Sequence, residues 1–213
     1  MIYISVLTPN ENKLLKLNND TSKKMYLFFD TETTGFPTHP KSDFRNWPRL
    51  VQIAWILTDT NGTELERHCH IVRPEGFSIP ERVTKIHSIT TEKAYNQGIP
   101  LEYALREFLI GMNQADVLVA HNFNFDYGVI RGELMRNKIP DFLRGYQKYC
   151  TMTSKSIIDY CMILRGDKKA KWPKLSELYS LLFNNELHNT HNALVDTEAC
   201  VKCFFKLKGL GII

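Results

Sequence analysis

An α/β fold built on one mixed sheet is predicted by three observations. Strand-like segments come first and are joined by a tight-turn signal, Asp59-Thr60-Asn61-Gly62. From Pro100 onward strand and helix patterns alternate, the order that gives a sheet flanked by helices. The apolar run Tyr26-Leu27-Phe28-Phe29 ends abruptly in Asp30 and Glu32, as a buried strand does where its end leaves the sheet.

The elements follow in order. Residues 1–22 are rich in Asn and Lys after a short apolar patch and form an extension; residues 23–213 form the main domain. The first strand is expected over Lys24–Asp30. Thr34 to Arg49 contains Pro37, Pro40 and Pro48 and is expected to be an irregular loop beside the acidic strand end. Its Lys41, Phe44, Arg45, Trp47 and Arg49 suit contact with a nucleic-acid strand, or else tuck onto the fold. Val51, Ile53, Trp55 and Leu57 mark a second strand. The Asn61-Gly62 pair, favoured where both central residues need positive φ, returns the chain into a third strand over Glu64–Val72.

Pro80–Ser88 can form a short helix, and Pro100–Met112 a longer one with Pro at its opening. Asp116–Ala120 is a short buried strand. Asn124 is the expected N-cap of a helix over Phe125–Arg136, which puts Asp126 in the first turn, where a carboxylate is favoured by the helix dipole. Tyr146–Thr151 is a further strand. Helices follow over Thr153–Met162, around Leu175–Leu182 and over Ala193–Lys206. Between the first two of these lies a basic run, Arg165 to Lys171, that would attract phosphates if it stood near a site.

Composition bounds the function. The chain has 213 residues, 43% hydrophobic and 23% charged, enough for one substantial core. Its net charge of +4 is compatible with a polyanionic partner without requiring one. No apolar run approaches the roughly 20 residues of a membrane helix, and the start lacks a signal-peptide pattern, so no membrane association and a cytoplasmic location are expected. Five irregularly spaced cysteines indicate free thiols in a reducing compartment. Cys200 and Cys203 fit two thiols on one helix better than a metal site.

Positions i and i+2 of a strand share a face, so Asp30 and Glu32 can converge on one point. Asp126 and Asp196 each open a helix that follows a strand or a loop. Four hard oxygen ligands without cysteine suit Mg²⁺ or Mn²⁺. Two such ions about 4 Å apart would stabilise both the attacking and the leaving oxygen of a phosphodiester. His191, five residues before Asp196, is placed to supply the base that activates water.

Phe29-Asp30-Thr31-Glu32-Thr33-Thr34-Gly35 resembles the first motif of the DnaQ-like DEDD 3′→5′ exonucleases. Val119 to Asp126 resembles the second, and His191 to Ala199 the third. Val51-Gln52-Ile53-Ala54 and Ile86-His87-Ser88-Ile89-Thr90 match two lesser signatures in the right order, with Ser88 where glycine is usual. The position of His191 marks the DEDDh subtype; His188 has the wrong spacing and is expected at the surface. The resemblance implies a ribonuclease-H-like fold: three antiparallel strands plus parallel strands, flanked by helices. It also implies two metals on Asp30, Glu32, Asp126 and Asp196, with Asp30 bridging and Asp126 acting largely through water. His191 is then the general base. Thr33, Thr34, His87, His121, Asn122 and Phe125 would hold the terminal nucleotide. The implied activity is removal of 5′-mononucleotides from the 3′ end of DNA, single-stranded at that end, as in replication proofreading or repair. A ribonuclease of the same family, or a polymerase-accessory binding module, are the alternatives. A DNA polymerase is an implied partner, although the chain ends at Ile213, where polymerase-associated members continue into a tail; a polymerase subunit and a free-standing enzyme both stay open.

Overall fold

The computed structural model describes residues 24–38 and 43–213. The expected extension over residues 1–22, and Lys41 and Pro40 of the Pro-rich loop, lie outside the described residues. Five strands form one sheet: β1 (Tyr26–Thr33), β2 (Leu50–Thr58), β3 (Glu64–Ile71), β4 (Val117–Ala120) and β5 (Gln147–Cys150). Their spatial order is β3-β2-β1-β4-β5. β1, β2 and β3 are antiparallel, whereas β4 lies parallel to β1 and β5 parallel to β4. This is the mixed sheet expected. It places β1 at the centre, with neighbours on both sides.

Alternation along β1 assigns its two faces. Leu27 and Phe29 enter the larger core with helices α3 (Leu101–Gln114) and α4 (Phe123–Arg136). Tyr26 and Phe28 pack on the opposite side against Cys200 and Phe204 of α7 (Ala193–Gly209). Asp30 and Glu32 continue the face of Tyr26 and Phe28, and Thr31 continues the other. A strand this buried has no aqueous place for a carboxylate until it reaches the sheet edge. β1 runs to Thr33, past the expected end at Asp30, because its pairing with β2 continues through Glu32↔Gln52 and, after an irregularity, Thr33↔Leu50.

Four further α-helices lie among the described residues: α1 (Glu81–His87), α2 (Thr91–Gln97), α5 (Lys155–Arg165) and α6 (Leu175–Phe183). α2 has no counterpart in the sequence reading, which assigns no element between Thr90 and Pro100. Its signal was legible: Thr90 caps it by accepting a hydrogen bond from the Lys93 amide (2.9 Å). The start of α4 also differs. The helix opens at Phe123, and its N-cap is Asn122 in the left-handed region (φ 71°) rather than Asn124. At the β2–β3 turn only Gly62 has positive φ (87°); the Asp59 carboxylate accepts from the amides of Asn61 and Thr63 and closes a longer loop than a two-residue hairpin.

The loop after β1 follows the second of its two expected readings, tucked onto the fold. Its second half is fixed to α4 rather than free for a ligand. Trp47 is buried, lies beside Phe44 and Phe125, and packs so closely on α4 that a Cβ at Gly128 would stand 2.0 Å from its ring. Arg49 donates to the buried Glu133 carboxylate (2.9 Å), which also receives Arg136 and the Leu50 amide. Arg136 in turn donates to the carbonyls of Arg45 and Trp47, and Arg45 pairs with Asp43. A carboxylate this buried is tolerated because its oxygens are paired with cations and hydrogen-bonded.

Ser88 ends α1 in the left-handed region (φ 59°, ψ 21°). A side chain there costs about 1 kcal/mol that glycine avoids. Ser88→Gly is therefore expected to raise the melting temperature by about 2–4 °C, measured by differential scanning calorimetry. A decrease would show that the serine hydroxyl supplies a compensating bond.

Candidate active site

The two faces of β1 meet at its C-terminal end. Asp126 reaches this end from α4 and is 2% exposed. Its Oδ1 accepts hydrogen bonds from the amide (3.0 Å) and hydroxyl (2.6 Å) of Thr31. Asp196 reaches it from the first turn of α7, on the side of Asp30 and Glu32. The start of α7 is set by Gln52, buried on β2 opposite Glu32: its Oε1 accepts from the Ala193 amide (3.1 Å) and its Nε2 contacts the Cys69 thiol. Asn192 caps the helix through the Leu194 amide. His191 precedes the helix in the left-handed region (φ 65°), and its amide donates to Asp196 Oδ2 (2.9 Å). These contacts place Glu32, His191 and Asp196 with potential ligand atoms within 4.8 Å of one another.

The four carboxylates act on each other electrostatically. Burial, then the charges of Asp126, Asp196 and Glu32, hold the Asp30 carboxyl well above the usual range. Burial and the charges of Asp196 and Asp126 push Glu32 up to about 8. Asp126 is raised to about 7 by burial, against the opposing hydrogen bonds of Thr31. Asp196 is raised by burial, opposed by the His191 amide. A cluster that retains protons for want of a countercharge is a fitting seat for divalent cations, and the all-oxygen carboxylate set matches Mg²⁺ or Mn²⁺.

All four acids and His191 line one cleft of about 700 Å³. Thr33, His87, His121, Asn122 and Phe125 line it too. Thr34 does not; its hydroxyl accepts from the Arg49 amide and anchors the loop. His188 is exposed outside it. The roles inside the cleft differ from simple ligand contact. The Thr33 hydroxyl donates to the Gly35 carbonyl (2.6 Å), shaping a turn that Gly35 completes at φ 147°. His121 is bonded at both ring nitrogens, to Thr151 Oγ1 (2.9 Å) and to the Pro173 carbonyl (3.1 Å), and burial lowers its pKa to about 4. His87 Nδ1 accepts from the Ile89 amide, the Thr33 backbone also hydrogen-bonds the ring, and burial lowers its pKa. Asn122 shapes the strand-to-helix turn.

Sequence reasoning missed Phe36, which is 77% exposed beside Phe125, with ring centroids 5.5 Å apart. Trp47 continues the row behind Phe125. Met152, Lys174, Leu175, Ser176 and Thr190 also line the cleft and carried no motif. Phe36 could have been found from its place directly after the turn glycine. Thr31, between the two acids, and Gln52, a polar residue in an apolar strand, carried similar signals.

The family model for Exonuclease (RNase_T) matches residues 27–204. The chain belongs to the RNase_T/DnaQ-like family of DEDD 3′→5′ exonucleases, whose members are metal-dependent. It is 27% identical over 196 residues to the DNA polymerase III subunit epsilon of Buchnera aphidicola (strain APS), covering 88% of this chain and 74% of that one. It is 26% identical over 210 residues to Ribonuclease T of Buchnera aphidicola subsp. Baizongia pistaciae, covering 90% and 89%. Its fold superposes on E. coli exonuclease I in complex with a dT13 oligonucleotide at a TM-score of 0.68 and 21% identity, over 87% of this chain. The chain spans 41% of that exonuclease's length. Among the described residues no helix is long and apolar enough to cross a membrane.

The carboxyl shifts have a thermodynamic consequence. The folded values of Glu32 (about 8) and Asp126 (about 7) exceed their ordinary values of 4.5 and 3.8. Their contribution to stability is whole at pH values below those ordinary ones and is lost as pH rises through 7 to 8. Chelator-treated protein should therefore melt at progressively lower temperature as the pH is raised across this window. Saturating Mn²⁺ should reverse the loss, and Glu32→Gln should reduce it. A melting temperature indifferent to both pH and Mn²⁺ would contradict this electrostatic picture. A separate expectation concerns Gln52→Leu. It leaves the buried Ala193 amide unpaired, at a cost of about 1–3 kcal/mol, readable by urea denaturation.

Proposed function

We propose that this chain is a Mg²⁺- or Mn²⁺-dependent exonuclease that removes 5′-mononucleotides from the 3′ end of single-stranded DNA. The observation that carries this reading is the convergence of four carboxylates and His191 in one cleft, beside an exposed aromatic pair. Asp30, Glu32 and Asp196 would hold the cation on the side of the attacking water, with Asp30 shared by the second cation and Asp126 acting in that region largely through water. The chemistry that the cations supply is acidification of water and neutralisation of charge on the phosphodiester.

The remaining work falls to the protein. His191, held beside Asp196 by its own amide, takes the proton of the attacking water at an imidazole nitrogen. Phe36 and Phe125 offer faces for the terminal base, and His87, beside them in the cleft, a polar contact at the 3′ end. His121, with both nitrogens committed, positions the wall rather than touching the nucleotide. The DNA preference is supported by the fold's likeness to exonuclease I structures that contain dT13 and dA16. The near full-length match to Ribonuclease T supports RNA as the second reading. A polymerase partner in replication or repair is supported by the matches to polymerase III subunit epsilon.

The test uses matched 3′-labelled DNA and RNA oligomers with Mg²⁺, Mn²⁺ or chelator. Label should leave DNA as mononucleotide only when metal is present, and faster than it leaves RNA. Asp30→Asn should lower kcat by more than about a thousandfold, and His191→Ala by about 10²–10⁴-fold without loss of Mn²⁺ binding. Full activity of Asp30→Asn would refute the proposal. Faster release from RNA would transfer it to the ribonuclease reading.

A further inference from the structure

The basic run beyond α5 ends at the wall of the cleft. Pro173 is buried and its carbonyl accepts from His121, which lines the cleft. Lys174 and Leu175, the next two residues, line it directly. Trp172, immediately before Pro173, is 64% exposed, whereas Trp47 and Trp55 are buried. Two residues span at most about 7 Å, so the backbone that carries this exposed indole lies close to the cleft's wall. An exposed tryptophan leaves a large apolar face in water, a cost that contact with a flat ligand would relieve.

The segment holding this indole is braced. Arg165 pairs with Asp167 (2.6 Å) and donates to the Lys171 carbonyl, and the Asp167 amide returns to the Met162 carbonyl. Lys171 pairs with Glu177 (3.1 Å), whose carboxylate also accepts from the Lys174 amide. Lys168, Lys169 and Lys174, by contrast, are exposed and have no carboxylate partner among the described residues. Lysines left unpaired on the same segment as an exposed indole, on a frame held by its own ion pairs, have the composition of a single-strand track. The acidic cleft floor repels a phosphate backbone, so a strand entering it needs cationic support of this kind close by.

We propose that Trp172 stacks on a base on the 5′ side of the scissile bond, while Lys168, Lys169 and Lys174 hold the adjoining phosphates. This rests on the exonuclease reading and extends it from the terminal nucleotide to the strand behind it. Phe36 and Phe125 serve the terminal base; Trp172 serves a base further back. Mononucleotide esters do not reach the track.

Two measurements separate the outcomes. In the first, hydrolysis of an oligothymidylate of roughly ten nucleotides is compared with hydrolysis of the p-nitrophenyl ester of thymidine 5′-monophosphate. Trp172→Ala should lower the ratio of oligomer to ester kcat/KM by about tenfold or more, through KM rather than kcat, with Trp172→Phe restoring most of it. Lys168→Ala combined with Lys169→Ala should flatten the salt dependence of oligomer KM and leave that of the ester alone. An unchanged ratio, or equal loss on both substrates, overturns the track. The second measurement is tryptophan fluorescence in chelator, where no hydrolysis is needed. The same oligomer should quench the exposed indole, and Trp172→Phe should abolish the quenching. Quenching that survives in Trp172→Phe overturns the proposal. Failure of the wild-type protein to hydrolyse either substrate would refute the exonuclease reading, while quenching would still decide whether the strand lies on Trp172.

Discussion

The contact between Thr31 and Asp126 joins the two sides of the site. Thr31 points toward the α3/α4 face of β1, whereas Asp30 and Glu32 point toward α7. By giving Asp126 both its amide and its hydroxyl, Thr31 brings a carboxylate of one side to the strand end where carboxylates of the other side emerge. The rest of the arrangement depends on that strand end being fixed. β1 lies centrally in the sheet, paired with β2 and β4, so little in its position is adjustable. Gln52 on the neighbouring strand then sets where α7 begins, and with it Asp196 and His191.

The same geometry opposes itself electrostatically. Four acids are concentrated at one end of a protein whose net charge is positive. Hydrogen bonds from Thr31 and from the His191 amide offset part of the burial and repulsion, and the raised carboxyl pKa values show how much is left. Stability and function therefore conflict here: the site is strained as protein and suited to cations. The compensation lies elsewhere, in a continuous core under β1 and β2 and in the buried Glu133 network that fastens the Pro-rich loop to α4.

Much of this was legible in the sequence, for identifiable reasons. Strand period and helix period placed the five strands and most helices, and the four acids with His191 were found because acids at the ends of apolar elements are chemically conspicuous. What escaped depended on contacts between distant segments. For Trp47 and Phe44 the sequence left ligand contact and packing on the fold both open; they pack on α4, because Gly128 leaves space for an indole. His121 lines the cleft, but its anchoring by Thr151 and Pro173 was not legible, because only the fold brings those residues near. Phe36 was passed over because a single aromatic after a glycine has no periodicity. The short helix α2 was missed because its one strong signal, the Thr90 cap, lay inside a motif being read for something else.

The central claim is that Asp30, Glu32, Asp126 and Asp196 form one cation site rather than four separate buried acids. It is tested most directly by calorimetric titration of Mn²⁺ into the chelator-treated protein with a nucleoside 5′-monophosphate present. The account predicts two ions per chain for the wild type, with release of protons from the carboxyls, and loss of both ions in Asp30→Asn. Binding that is absent, or that is the same in Asp30→Asn, would contradict it.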